Sequence, residues 1–140
     1  INRIKYMTPN SKNLSNILAP VSIGELIDKI TILEIKKVHM TGIKLKNVDK
    51  ELELLMCLLD DNNLEIGIDL VNRLRAINNN LWEIEDKIRI KESKQEFDQD
   101  FIQLARSVYK ENDIRASIKQ EINHMYNSDL VEEKLYNEYR

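Results

Sequence analysis

The sequence predicts an all-α protein: two antiparallel helical hairpins packed as a four-helix bundle, the second hairpin long and coiled-coil-like, followed by a short C-terminal helix. Three observations carry this. The 140 residues include only three Gly and two Pro and are rich in Leu, Ile, Glu, Lys and Asn, which favours long helices over a sheet. Leu70, Leu74, Ile77, Leu81, Ile84 and Ile88 recur at alternating steps of four and three, drawing one apolar seam down a helix. Beyond the polar link Ser93-Lys94-Gln95-Glu96, Phe101, Leu104, Val108, Ile118, Ile122 and Met125 draw a second seam, broken by Glu111, Asn112 and Arg115.

In chain order, residues 1–20 read as an N-terminal tail and residues 21–140 as a single helical domain. Within the tail, Thr8-Pro9-Asn10 signals a turn, and Leu14, Ile17 and Leu18 could dock as a short helical turn. The first helix starts at Ser22, where Ser22 and Glu25 have the spacing of a capping box. Its seam is Ile23, Leu26, Ile30 and Leu33, and Gly42 is placed for a left-handed cap at its end. The second helix covers about Leu45 to Leu59. Leu54, Met56 and Leu58 make it apolar on more than one side, so it is expected to be the most buried element, with Cys57 as core filler. Asp60 to Asn63 break the chain.

The third helix is expected from about Glu65 to Glu92, weakened at its start by Gly67. Asp98 should cap the fourth, which reaches about Tyr126. Ser128 is then placed to cap a last short helix, Asp129 to Tyr139. The second hairpin, about 40 Å long at 1.5 Å per residue, is expected to project beyond the first and to favour a homodimer.

Composition narrows the functional classes. A net charge of −3 gives no global electrostatic case for nucleic acid or an anionic membrane. No apolar run reaches the length of a membrane span, and the first residues lack the layout of a signal peptide. A single cysteine forbids an internal disulfide and fits the cytoplasm. His39 and His124 are isolated, so no metal site is expected. No Gly-rich phosphate loop exists, and no cofactor is expected.

The polar turn of the fourth helix is the sharpest candidate site. Arg106, Tyr109, Asp113 and Ala116 share one face, with Asn112, Arg115 and Lys119 beside it. With the hairpin turning near residue 95, Asn112 should lie opposite Asn78 and Leu81, and Arg115 near Leu74. The functional reading is a small anion-binding pocket made by Arg106, Tyr109, Asn112, Asp113 and Arg115, with Asp28 and Glu85 converging on it. The favoured plain reading is a polar layer that fixes packing register. Trp82 flanks an i,i+4 pair, Glu85 and Arg89, and is the candidate anchor for a protein partner. Glu25 should pair with Lys29, while Asp28 and Lys29 would matter if they faced Arg106 and Asp113. Lys36, Lys37, Lys44, Lys46 and Lys50 gather at the first hairpin's tip; nucleic acid is the weakest reading of them.

The run Ser22-Ile23-Gly24-Glu25-Leu26-Ile27-Asp28-Lys29-Ile30-Thr31-Ile32-Leu33-Glu34-Ile35-Lys36 resembles the opening motif of an uncharacterised family of small helical proteins of bacteria and their phages. Leu81 to Asp86, Ala105 to Tyr109 with Asn112-Asp113 and Arg115-Ala116, and Leu130 to Lys134 resemble its later motifs. The resemblance covers about Val21 to Tyr136. It implies a compact helical unit in a surface-polysaccharide setting, and no reaction. Helical chorismate mutases are similar in architecture and residue type alone, without a shared motif. The function expected is a non-enzymatic interaction or adaptor protein, homodimeric or holding a protein partner. The alternative is a small anionic ligand binder or enzyme using the fourth helix.

Overall fold

A computed structural model describes residues 16–139. Four helices form the bundle: α1 (Ile23–His39), α2 (Gly42–Asp61), α3 (Ile68–Ser93) and α4 (Gln99–Met125). There is no strand among the described residues. α3 and α4 form the long antiparallel hairpin; Arg73 reaches Glu121 at 2.8 Å near one end and Lys91 reaches Asp98 at 2.7 Å beside the turn. α1 lies across both, and its polar contacts with α4 run from Gly24–Asn123 to Asp28–Arg115, an antiparallel register. The core is Ile27 of α1, Leu70 and Leu74 of α3, and Ile118 and Ile122 of α4, with Ile23, Leu59, Ile66 and Tyr126 packed around it.

Local chemistry sets the helix ends. Ser22 accepts from the Glu25 amide at 3.1 Å, and Asp98 accepts from the Phe101 amide at 3.0 Å. Each stands in extended backbone before its helix, as an N-cap must. With few glycines available, three other residues take the left-handed turn after a helix: Asn63 (φ 51°), Gln95 (φ 56°) and Asn127 (φ 52°). At each, the next amide reaches back to close the last turn: Leu64 to Leu59, Glu96 to Lys91 and Ser128 to Asn123 carbonyl. Gly42 also has a left-handed φ of 61°, but at the start of α2 instead of the exit from α1.

Three expectations are corrected. α2 is the least buried helix: among the helices it lies along α1 alone, through Val48 and the pairs Lys29–Glu51 and Lys37–Asp49, with Leu59 near its end reaching the core. Leu54, Met56, Cys57 and Leu58 are therefore exposed instead of filling a core. α3 begins at Ile68, with Gly67 outside it and its amide donating to the Tyr126 hydroxyl at 2.6 Å. Residues 128–139 form no helix. They run back along α4 as far as Tyr109, which lies about 24 Å from Met125 at 1.5 Å per residue. An eleven-residue helix would span about 16 Å, so only extended chain reaches. Ser128 caps α1 instead, accepting from the Ile23 amide at 3.0 Å.

The distal half of the long hairpin carries no fully buried side chain between Leu81 and Ile118, so it stands beyond α1 as two helices. Ile17 and Leu18 are exposed and do not dock. The expected turn at Thr8-Pro9-Asn10, and Leu14, lie outside the described residues. No helix among the described residues is long and apolar enough to cross a membrane.

Candidate functional site

Asp28 is the centre of the polar interior. Its helical position places it on the face of α1 that also carries Ile27 and Thr31, turned into the bundle, where it is 1% exposed. A carboxylate so enclosed needs donors on every side. Arg115 of α4 supplies a fork: Nε donates to Oδ1 at 2.8 Å and Nη2 donates to Oδ2. Asn78 of α3 donates from Nδ2 to the same Oδ1 at 2.9 Å and to the Thr31 hydroxyl at 2.9 Å. Thr31 in turn donates to the Asp28 carbonyl at 2.8 Å. One carboxylate thus ties three helices together. Its hydrogen bonds hold the Arg115 guanidinium charged, raising its pKa against the opposing effect of burial.

One turn along α4, Lys119 is almost fully buried. It donates to Glu25 at 2.6 Å and to Glu132 at 2.7 Å, and its ammonium lies 3.9 Å from Asp28. Burial pushes its pKa down, but the hydrogen bonds to Glu132 and Glu25 outweigh this and leave it above its ordinary value. Lys119 is therefore a fixed cation, not an amine base or nucleophile. Glu132 bonds to Lys119 first and also to Lys134 at 2.8 Å, and its carboxyl is held down to about 2. Because this lies below the ordinary carboxylate value, these contacts stabilise the fold fully above about pH 4.5 and are lost as pH falls toward 2. The Glu132 carboxyl carbon should titrate near pH 2 by NMR, and should return toward the ordinary range in Lys119→Met. Titration near 4.5 in the unaltered chain would show the contacts are not formed.

Above this floor lies a groove of about 750 Å³. Tyr109, Asn112 and Ala116 of α4 form one wall, and Tyr136, Asn137 and Tyr139 of the returning segment form the other. Tyr139 donates its hydroxyl to Asp113, and its ring meets Tyr109 edge-on with centroids 4.9 Å apart. A second groove of about 500 Å³ opens on the other side of Asn112 and Arg115, between α1, α3 and α4.

The sequence-derived residues divide between these places. Tyr109, Asn112, Asp113 and Arg115 line the first groove. Asp28 lies beneath it as the partner of Arg115. Glu85 lines the second groove with Trp82, Asn112 and Arg115. Arg106 is exposed and lines neither groove. Asn112 does share a groove with Asn78 and Leu81, as the hairpin register requires, whereas Asn79 and Asn80 face outward. Asp28 faces Arg115 and not Arg106, and Lys29 pairs with Glu51 across the first hairpin, leaving Glu25 to Lys119. Trp82 is half-buried and stacked on His39, with centroids 4.9 Å apart. The expected Glu85–Arg89 pair is present at 3.9 Å. Glu132, Lys134, Tyr136 and Tyr139 were not legible as site residues. Glu132 and Lys134 fall in the Leu130 to Lys134 run that resembles a family motif, but nothing in the sequence tied that run or the two tyrosines to the fourth helix.

A family model described as a family of unknown function, DUF6165, matches residues 17–139 of the chain. No curated protein and no solved structure matches it.

Proposed function

Because the chain belongs to the family of unknown function DUF6165, we propose from its geometry that it is a non-catalytic binding protein whose first groove holds a small, uncharged, polar ligand. The observation that carries this is the pairing of every cation on the groove floor. Arg115 is spent on Asp28, Lys119 on Glu25 and Glu132, and Lys134 on Glu132. At Arg115 and Lys119 an anion would have to break a partly buried pair, which costs several kcal/mol, leaving the half-exposed Lys134, itself held by Glu132. The walls instead offer tyrosine rings and the side-chain amides of Asn112 and Asn137, which suit a ligand with apolar C–H faces and several hydroxyls. A short saccharide has that chemistry, in keeping with a surface-glycan setting. The same pairing argues against catalysis by these groups, since none is left as a poised acid or base.

Trehalose, N-acetylglucosamine and glucose 6-phosphate test this by ¹H–¹⁵N chemical-shift titration. A neutral sugar should give saturable shifts confined to Tyr109, Asn112 and residues 132–139, weakened about tenfold in Tyr109→Ala, roughly 1.4 kcal/mol. Saturation by the phosphorylated sugar alone would return the groove to anions, and no saturable shift by any would remove the reading.

A second reading, protein interaction through α2, has its own observation. Leu54 and Leu58, one turn apart on the same face, are each more than 40% exposed on a helix packed through one side only, and such a face suits a second copy or an amphipathic partner. Sedimentation velocity should then show dimer at tens of micromolar, abolished by Leu54→Glu with Leu58→Glu. A monomer at every concentration would leave the homodimer without support.

A further inference from the structure

α2 has two long faces. One lies on α1 through Val48, and Leu59 reaches the core. The other is bare. Ile43, Asn47, Lys50, Leu54, Cys57 and Asp61 recur on it at alternating steps of four and three, the spacing of a coiled-coil seam, and all six are exposed. Leu58 flanks this seam and is also exposed. No other described helix packs against it.

The charges along α2 identify what would cover it. Its N-terminal half carries Lys44, Lys46 and Lys50 outward, and its C-terminal half carries Glu53, Asp60 and Asp61. Asp49 and Glu51 are engaged with Lys37 and Lys29 of α1. No acid stands in the first turn and no base in the last, the reverse of what the helix dipole favours. A helix charged against its own dipole gains from a neighbour of the same sequence running the other way, since each basic end then lies beside an acidic one. Lys50 and Asp61 stand on the seam itself, and neither has an ion-pair partner among the described residues.

The seam also supplies a register. In an antiparallel pair whose two-fold axis crosses midway between residues 55 and 56, Leu54 of one copy meets Cys57 of the other, and Lys50 meets Asp61. Symmetry makes each contact twice, so two apolar layers at the centre are closed at either end by an ion pair. A parallel pair would instead set Lys50 on Lys50 and Asp61 on Asp61, like charge on like charge. The overlap is about twelve residues of helix, roughly 18 Å, a small contact that gives weak, reversible association and not a permanent dimer.

We infer that α2 takes a second copy of this chain in antiparallel orientation, with Lys50 and Asp61 forming reciprocal ion pairs that choose the direction of the partner. This pairing rests on α2 being an interaction face and is independent of any ligand in the first groove.

Sedimentation velocity of the whole chain, from a few to several hundred micromolar, tests it. The unaltered chain should dimerise with a midpoint in the tens of micromolar. Lys50→Glu or Asp61→Lys alone should weaken the dimer about tenfold, because each sets two like-charge contacts at its ends. An equimolar mixture of the two variants should regain the parent's affinity, since both end contacts of the mixed pair again join opposite charges. Both positions are exposed and unpaired, so helix content by circular dichroism should not fall in either variant. A dimer that Leu54→Glu with Leu58→Glu abolishes, but that Lys50→Glu leaves as tight as before, overturns the antiparallel pairing and leaves the α2 face standing. A monomer at every concentration, or a dimer indifferent to the leucine substitutions, overturns both.

Discussion

Asp28→Ala should unfold with a free energy about 3 kcal/mol lower than the unaltered chain, a loss of roughly 10 °C in Tm for a chain of this size. The reason is what it leaves behind. Arg115 would remain partly buried with a guanidinium that nothing neutralises, Asn78 would lose one of its two acceptors, and Lys119 would lose a nearby negative charge. Removing one partner of an enclosed pair costs far more than the pair contributes when intact, because the remaining charge stays desolvated. Glu34→Ala makes the comparison. Its pair with Arg75 is half-exposed at 2.9 Å, and its loss should cost under about 1 kcal/mol. Chemical denaturation of the two variants measures the difference, and equal losses would mean that the buried carboxylate has no special place in the fold.

Gly24→Ala should also destabilise, by about 2 kcal/mol, although the usual effect of that change within a helix is a gain of up to about 1 kcal/mol. The sign reverses because α1 and α4 touch through backbone here. A Cβ at Gly24 would stand 2.5 Å from the Lys119 carbonyl oxygen and 2.9 Å from Asn123 Oδ1. Neither obstacle can swing aside: one is helix backbone, and the other accepts from the Gly24 amide at 2.7 Å. The start of α1 must lift away from α4, stretching the Glu25–Lys119 contact that floors the first groove. Denaturation midpoints give the stability, and the backbone amide shift at position 24, compared between parent and variant, reports the hydrogen bond. A variant more stable than its parent would show that the two helices are not so close.

The hairpin and its core were legible because apolar spacing is a local signal. Leu70, Leu74, Ile118 and Ile122 are buried where their spacing put them. The polar turn of α4 was legible as an anomaly, but its partner was not. Arg115 could be placed beside α3 by counting from the turn, whereas nothing local says that α1 crosses at Asp28. α2 misled because an apolar helix looks buried whether or not a neighbour exists to cover it. Leu54 and Leu58 have no second helix against them. The last segment misled differently. Ser128 reads as a cap, and it is one, but for α1, 105 residues away in sequence. Its cap chemistry was visible, while the helix it serves is a tertiary fact. The α4 turn divides between two places: Arg115 faces inward to Asp28, while Tyr109 and Asp113 line the groove.

A double-mutant cycle on Asp28→Leu and Arg115→Met tests most directly whether a buried ion pair joins α1 to the long hairpin and so builds the partition between the grooves. The expected result is a coupling energy of about 2 kcal/mol or more, with the double variant more stable than either single one, since removing both charges leaves none stranded. Losses that simply add, with coupling near zero, would contradict the pair and the grooves built on it.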